Sequence, residues 1–326
     1  MNQKSITAQD VANLAGVSRA VVSRTFSNNG SVAPATRQKV LTAAQQLGYQ
    51  VNILAQSLNR QRSTLIGLVT SGLTDPYRSQ LLEDLVRHIQ QQNFQALVCD
   101  ILTSADLPQT LLKLTQFRVS GVIVTSGHPS AELVRECVRL SIPVVVINRM
   151  TDIPVVDVIT SDNQAGAQLA VQTLKQSGCQ QLAFLGIDKD TYSGQARLKA
   201  WQQLTDGRLF PAPHAGYQGG VLAARQILTN RLPFDGLWCA NDLLACGFLD
   251  TACNEFNLKA PSDYKIIGFD DIPTAGFTGY QLTTLKQNTA QIASLALERL
   301  HQRTSDIQQP QRIDHVPVQL IQRQTT

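Results

Sequence analysis

Apolar residues recur at helical spacing through the first fifty positions and gather into short continuous runs from Thr64 onward, so the chain changes texture once. In the first part, Val11, Leu14 and Ala15 predict a short helix. Thr7 opens it with Asp10 three residues on, a capping-box-like start, and Gly16 breaks it. Ser18 can cap a second helix from Arg19 to about Phe26, with Val22 pointing inward and Arg19, Ala20, Ser23 and Arg24 left outside. A polar loop from Ser27 to Val32 follows. Pro34 then suits the first turn of a third helix, whose apolar stripe is Val40, Ala43, Ala44 and Leu47 and which Gly48 closes. Two short helices joined at a glycine are either a helix-turn-helix or an ordinary helical hairpin.

From Thr64 the runs LIGLVTS from Leu65, ALVCD from Ala96, GVIVTS from Gly121 and IPVVVIN from Ile142 alternate with helical segments. Near-continuous apolar strands between helices imply a parallel sheet covered on both faces. The rhythm then repeats with QLAFLG from Gln181, GLWCAN from Gly236 and YKIIGFDD from Tyr264. The fold class is therefore α/β: a helical headpiece followed by two doubly wound lobes. Ligands bind beyond the carboxyl ends of such strands, which places a site in the cleft between the lobes. A last strand is expected from Val316 in VPVQLIQRQ. No leucine heptad follows it, so a dimer is expected rather than a coiled-coil tetramer.

Charge decides between the two readings of the first helices. Residues 1–63 hold seven basic residues, Lys4, Arg19, Arg24, Arg37, Lys39, Arg60 and Arg62, against Asp10, a balance of +6. The whole chain is +4, so the rest carries about −2 and the basic excess is confined to the N-terminal fifth. That asymmetry points to a polyanion partner at this end only. Cys99, Cys137, Cys179, Cys239, Cys246 and Cys253 are scattered with no CxxC pair, which reads as reduced, largely buried thiols. No apolar run approaches a membrane span and no signal-peptide core opens the chain, so a cytoplasmic protein is expected. GxGxxG after the first strand, GxxxxGK and GxSxG are absent, and the five histidines show no metal-ligand spacing. No catalytic residue, cofactor or metal is expected, and an enzyme is the weaker reading beside a binding protein.

The stretch from Ile6 to Leu58, through ITAQDVANLAGVSRAVVSRTF, TRQKVLTAAQQLGY and NILAQSL, resembles the DNA-binding headpiece of the lactose/galactose repressor family. VITSDNQAGAQLA from Val158, LWCANDLLACG from Leu237, and IIGFDDIP from Ile266 with LTTLKQN after it are similar to the type I periplasmic sugar-binding fold of that family's effector domain. The resemblance implies a headpiece over 1–48, a hinge over 49–63 and a core over 64–326. Its lobes would be roughly 64–160 with 289–311, and 161–288 with 312–326. It implies base-reading side chains at Arg19, Ala20 and Arg24, with Thr7, Ser18, Val21, Ser23, Asn28, Asn52 and Ala55 also at the DNA. Leu58 would wedge into the minor groove from a hinge that folds on operator DNA.

For the effector the resemblance implies Arg197 and Asp270 foremost, with Tyr77, Arg149, Ser193, Tyr217 and Asn241. Asp242 either joins them or caps the helix beginning at Leu243. The chain departs from the family at Val51 and Gln56, where relatives carry Pro and Arg, and at Ala33, where a capping Ser is frequent. Cys179 stands in place of a His. Between Arg208 and Gly219 the chain is short, so a second-lobe strand is expected to be missing or reduced. Arg78 and Arg149 together suggest an acidic sugar, against the plainer reading of rim charges. The implied protein is a ligand-responsive repressor of carbohydrate-utilisation genes, a homodimer on a pseudo-palindromic operator. A transport component with a similar sugar-binding core is the alternative, and the basic headpiece argues against it.

Overall fold

The computed structural model describes residues 6–26, 31–50, 63–101, 103–125, 131–187 and 191–326, which divide at Ser63/Thr64 into two compact units. The first holds α1 (Ala8–Ala15), α2 (Arg19–Thr25) and α3 (Pro34–Leu47). Thr7 and Asp10 make a reciprocal capping box: the Thr7 backbone N–H donates to Asp10 Oδ2 at 2.8 Å, and the Asp10 N–H donates to Thr7 Oγ at 3.4 Å. Gly16 ends α1 at φ 67°, a left-handed conformation that a side chain would strain, and Gly48 does the same for α3. Val11, Ala12, Val22, Val40, Ala43 and Ala44 form a closed apolar cluster beneath the three helices. Ala33 leaves α3 without a side-chain cap, although its backbone (φ −54°, ψ 138°) suits one. Ala33→Ser is therefore expected to raise headpiece stability by about 0.5–1 kcal/mol, read as a shift in its thermal midpoint by circular dichroism.

The second unit is built from two six-stranded sheets. The first, in the order β11-β5-β4-β3-β1-β2, is parallel throughout: β1 (Leu65–Thr70), β2 (Gln95–Asp100), β3 (Gly121–Val124), β4 (Val144–Ile147), β5 (Asp157–Ser161) and β11 (Ile313–Val316). Two apolar clusters cover its faces. One packs α5 (Leu107–Gln116) and α6 (Ala131–Arg139) against it, and the other α4 (Pro76–Gln91) and α11 (Thr289–Ser305). The second sheet runs β12-β10-β9-β8-β6-β7 and is parallel except at β12. Its strands are β6 (Leu182–Gly186), β7 (Arg208–Pro211), β8 (Gly236–Cys239), β9 (Lys265–Asp270), β10 (Thr283–Gln287) and β12 (Val318–Ile321). With α7 (Asn163–Gln176), α8 (Tyr192–Leu204), α9 (Tyr217–Thr229) and α10 (Asp242–Phe256) it encloses the largest core cluster, centred on Trp201, Trp238, Phe184 and Phe248.

The second-lobe strand expected to be missing or reduced after Arg208 is present but short: β7 spans only four residues and pairs in register with β6 from Ala183–Arg208 to Gly186–Pro211. Two expectations need correction. The single last strand is two. Pro317, which has no amide hydrogen to donate, separates β11 from β12, and the chain changes sheets there. The final crossing is thus at Pro317 rather than at residue 311, because β11 still pairs with β5. Five of the cysteines are buried as free thiols, and Cys253 is exposed.

Candidate functional site

On α2, Arg19, Ala20, Ser23 and Arg24 are exposed while Val22 and Thr25 are buried, the division that the apolar spacing predicts. Ser18 is the N-cap: its Oγ accepts from the Val21 N–H at 3.4 Å, so its backbone and hydroxyl fix how the helix begins. Val21 is half-buried against the headpiece core. Thr7 is committed to the cap of α1, with its hydroxyl donating to Asp10 Oδ2 at 2.7 Å. Asn28, Asn52, Ala55 and Leu58 lie outside the described residues, as does almost all of the segment expected to be the hinge.

In the core, the carboxyl ends of β4, β5, β9 and β10 converge. Asn148 follows β4, Ser161 ends β5, Asp270 ends β9 and Gln287 ends β10. Their side chains, with Tyr77 from the first turn of α4 and Arg197 from α8, form one connected network across both lobes. Gln287 is its centre. Its Oε1 accepts from Tyr77 Oη at 2.9 Å and from Ser161 Oγ, and its Nε2 donates to Asp270 Oδ1 at 2.6 Å. Asn148 Nδ2 donates to Tyr77 Oη at 2.7 Å, while its Oδ1 accepts from the Ser161 backbone N–H at 3.2 Å. Arg197 Nε donates to Asn163 Oδ1 at 3.0 Å and its Nη1 to the Ala240 carbonyl at 2.5 Å. Its Nη2 stands 3.7 Å from Asp270 Oδ1, and its guanidinium carbon lies 3.5 Å above the Phe269 ring.

Tyr77, Asn148, Ser161, Arg197 and Gln287 are buried, and Asp270 is only slightly exposed. Burial pushes the Asp270 carboxyl up to about 7, with the Arg197 cation opposing and Asp75 adding to the rise. Burial also raises the Tyr77 hydroxyl and lowers Arg197. Asp270 sits at φ 121° and Asp271 at φ 57°, both unfavourable for a residue with a side chain. Such strain persists only where the surroundings hold it. Here they do: Arg323 Nη2 donates to Asp271 Oδ1 at 2.6 Å, and the Ile272 N–H donates to Asp242 Oδ2 at 2.9 Å. The arrangement offers carboxylate, guanidinium, amide and hydroxyl groups at one place, a set able to bind several hydroxyls of one molecule.

Tyr77, Arg197 and Asp270 are thus brought together. Arg149 lies beside Asn148, half-buried, and desolvation lowers its pKa. Ser193, also half-buried, is one turn before Arg197 on α8. Tyr217 and Asn241 do not join the network. Tyr217 Oη donates to Asp250 Oδ2 at 2.6 Å, and Tyr280 Oη donates to the same oxygen at 2.7 Å. Asn241 is the cap of α10, accepting from the Leu244 N–H and donating to the Ala215 carbonyl, each at 2.9 Å. Asp242 is therefore not the cap; fully buried, it accepts from Thr284 Oγ at 2.5 Å as well as from Ile272. Arg78 is engaged with its own loop, with Nη1 donating to the Ser71 carbonyl at 2.5 Å and Nε 3.8 Å from Asp75. Asn148, Ser161, Asn163 and Gln287 were missed as site residues. The rule that ligands sit beyond strand carboxyl ends, applied to β4, β5 and β10, picks out the first two and Gln287.

Residues 7–52 match the bacterial regulatory proteins of the lacI family, and residues 171–326 match a periplasmic binding protein-like domain. The sucrose operon repressor of Pediococcus pentosaceus is 30% identical over 308 residues, covering 91% of this chain and 92% of that one. The chain belongs to the lacI family. This lacI-family member is also 31% identical over 301 residues to the HTH-type transcriptional regulator GalS of Salmonella typhimurium, covering 90% and 88% of the two chains. A crystal structure of the Lac repressor dimer bound to operator and the anti-inducer ONPF superposes with a TM-score of 0.86 at 27% identity, covering 99% of each chain. The lacI-family chain is accordingly a DNA-binding transcriptional regulator, and its relatives are regulators rather than enzymes. Among its described residues no helix is long and apolar enough to cross a membrane.

Proposed function

We propose that this regulator is a repressor of carbohydrate-utilisation genes. As a homodimer it would bind a pseudo-palindromic operator and respond to a sugar or sugar derivative held at the interlobe network. The observation that carries the reading is the buried chain Tyr77–Gln287–Asp270–Arg197, which joins both lobes through groups suited to hydroxyls. A ligand that takes up these hydrogen bonds alters how the lobes are tied, and the change is relayed to the DNA-binding end. Such coupling is reciprocal, so a sugar that weakens operator binding is itself bound more weakly by the DNA complex. Tyr77, Arg149, Ser193, Arg197 and Asp270 are assigned to the effector, and Arg19, Ala20, Ser23 and Arg24 to the DNA. Arg78 donates to the Ser71 carbonyl, yet its charge still acts on the Asp270 carboxyl, so neutral sugars and sugar acids are tried side by side.

The test is binding of the purified protein to DNA fragments from around its own gene, at two salt concentrations, with and without a panel of sugars and sugar acids. Tight, salt-sensitive binding to one palindromic fragment, changed by one compound, is the expected result. Weak binding to every fragment alike, unmoved by any sugar, would sink the reading. On the fragment found, Arg19→Ala is expected to cost about 1–3 kcal/mol and to relax preference at one base pair per half-site, because a guanidinium bonds guanine bidentately and a methyl group does not. A uniform loss across all operator variants would instead make Arg19 a phosphate contact.

A further inference from the structure

A groove of about 450 Å³ runs along α8 on a flank turned away from Arg197, against the segments that cross between the lobes. Tyr192, Gln195, Lys199 and Gln203, three to four residues apart on α8, line one wall; Gln164 at the start of α7 and His315 on β11 face them. Among the described residues, the side chains of Gln164, Tyr192, Gln195, Lys199 and Gln203 have no hydrogen-bond partner within the chain. The volume falls in the range of small-molecule sites. Three free amides each hold a donor and an acceptor in one plane, which is what a pair of neighbouring hydroxyls requires. The lining holds one lysine, Lys199, and one carboxylate, Asp162, which caps α7 by accepting from the Ala165 N–H, so the two charges balance and the groove favours neither strong anions nor strong cations.

We propose that this groove is a second small-molecule site, for a neutral polyhydroxylated ligand of monosaccharide size, separate from the interlobe network. The two sites share a wall. Ser161 and Asn163 line the groove, and they also bond Gln287 and Arg197, respectively, on the cleft side. An occupant of the groove therefore touches residues that hold the cleft, and the two ligands influence each other's affinity equally.

Titration calorimetry of the full chain with glucose, galactose, ribose and sucrose tests this, in the wild type and in Asp270→Ala to disable the cleft. The expected result is that Asp270→Ala retains binding of at least one of these sugars at millimolar concentration. Adding Gln203→Trp, which fills the groove, should weaken that residual binding at least tenfold. Gln195→Ala with Gln203→Ala should weaken it without adding bulk, which guards against a misfolded Trp variant. The groove assignment is overturned if Asp270→Ala binds none of the four, or if its residual binding ignores both groove variants. Wild type binding once and Asp270→Ala not at all would remove the groove and leave the cleft reading standing; binding by neither would remove both.

Discussion

Arg303→Ala is expected to destabilise the core by about 3–5 kcal/mol, the loss typical when one member of a buried ion pair is removed. Arg303 is 1% exposed and grips Asp157 with two hydrogen bonds, of 2.8 Å from Nε and 2.6 Å from Nη2. The same guanidinium donates to the carbonyls of Ile307, Gln309 and Pro310 at 3.3, 2.9 and 3.4 Å. Asp157 in turn accepts from the Arg312 N–H at 2.8 Å. One side chain therefore ties the end of α11 to the start of β5 and closes the turn that feeds β11. Truncation strands a buried carboxylate and frees three carbonyls at once, whereas the exposed pair Arg87–Glu83 would contribute under about 1 kcal/mol. Urea denaturation followed by far-ultraviolet dichroism reads the difference. A loss below about 1 kcal/mol would mean that water replaces the guanidinium and that the turn holds without it.

How much of this was legible in the sequence depended on whether burial and apolarity coincide. They coincide in the headpiece, where Val11, Val22 and Val40 mark the inner faces, and the exposed arginines of α2 follow from the same spacing. They coincide in β1, β3, β4 and β6, whose runs of Val, Leu, Ile and Phe are buried on both faces. They part in β10, where Thr283 and Thr284 are fully buried because the Thr283 hydroxyl bonds that of Thr326 near the chain's end and the Thr284 hydroxyl donates to buried Asp242 at the start of α10. No apolar run announces it. β7 and β11 are edge strands with three and two of their four residues exposed, respectively, so their pattern is weak as well. The site divides similarly. Asp270 was conspicuous as a carboxylate after a buried strand, but Gln287 and Asn148 are common polar residues whose importance appears only when four strand ends are brought together. Asn241 and Tyr217 stand outside the network for local reasons. Helix capping and a hydroxyl bond to Asp250 engage side chains that the family resemblance had assigned to the ligand.

Asp270→Ala is expected to weaken effector binding by about 2–5 kcal/mol, some thirtyfold to several thousandfold, while operator affinity without sugar stays within about threefold of wild type. The reasoning separates binding from folding. Arg197 loses a carboxylate 3.7 Å away but keeps the Asn163 and Ala240 oxygens at 3.0 and 2.5 Å and its seat over Phe269, so its charge is not left bare. Gln287 loses the acceptor for Nε2, yet its Oε1 still holds Tyr77. What disappears is the one carboxyl group in the network, whose two oxygens can accept from neighbouring hydroxyls of a sugar, whereas the Gln287 carbonyl oxygen is already taken by Tyr77 and Ser161. Asp270→Asn should fall between the two, since an amide oxygen keeps the Gln287 bond without the charge. The readout is built into the lobe. Arg197 covers Phe269, whose ring centroid is 6.5 Å from that of Trp238, so a ligand that shifts the guanidinium perturbs a buried indole and changes intrinsic fluorescence. Full sugar response in Asp270→Ala would place the effector elsewhere in the molecule. Loss of operator binding together with sugar binding would mean that Asp270 maintains the core rather than reading the ligand.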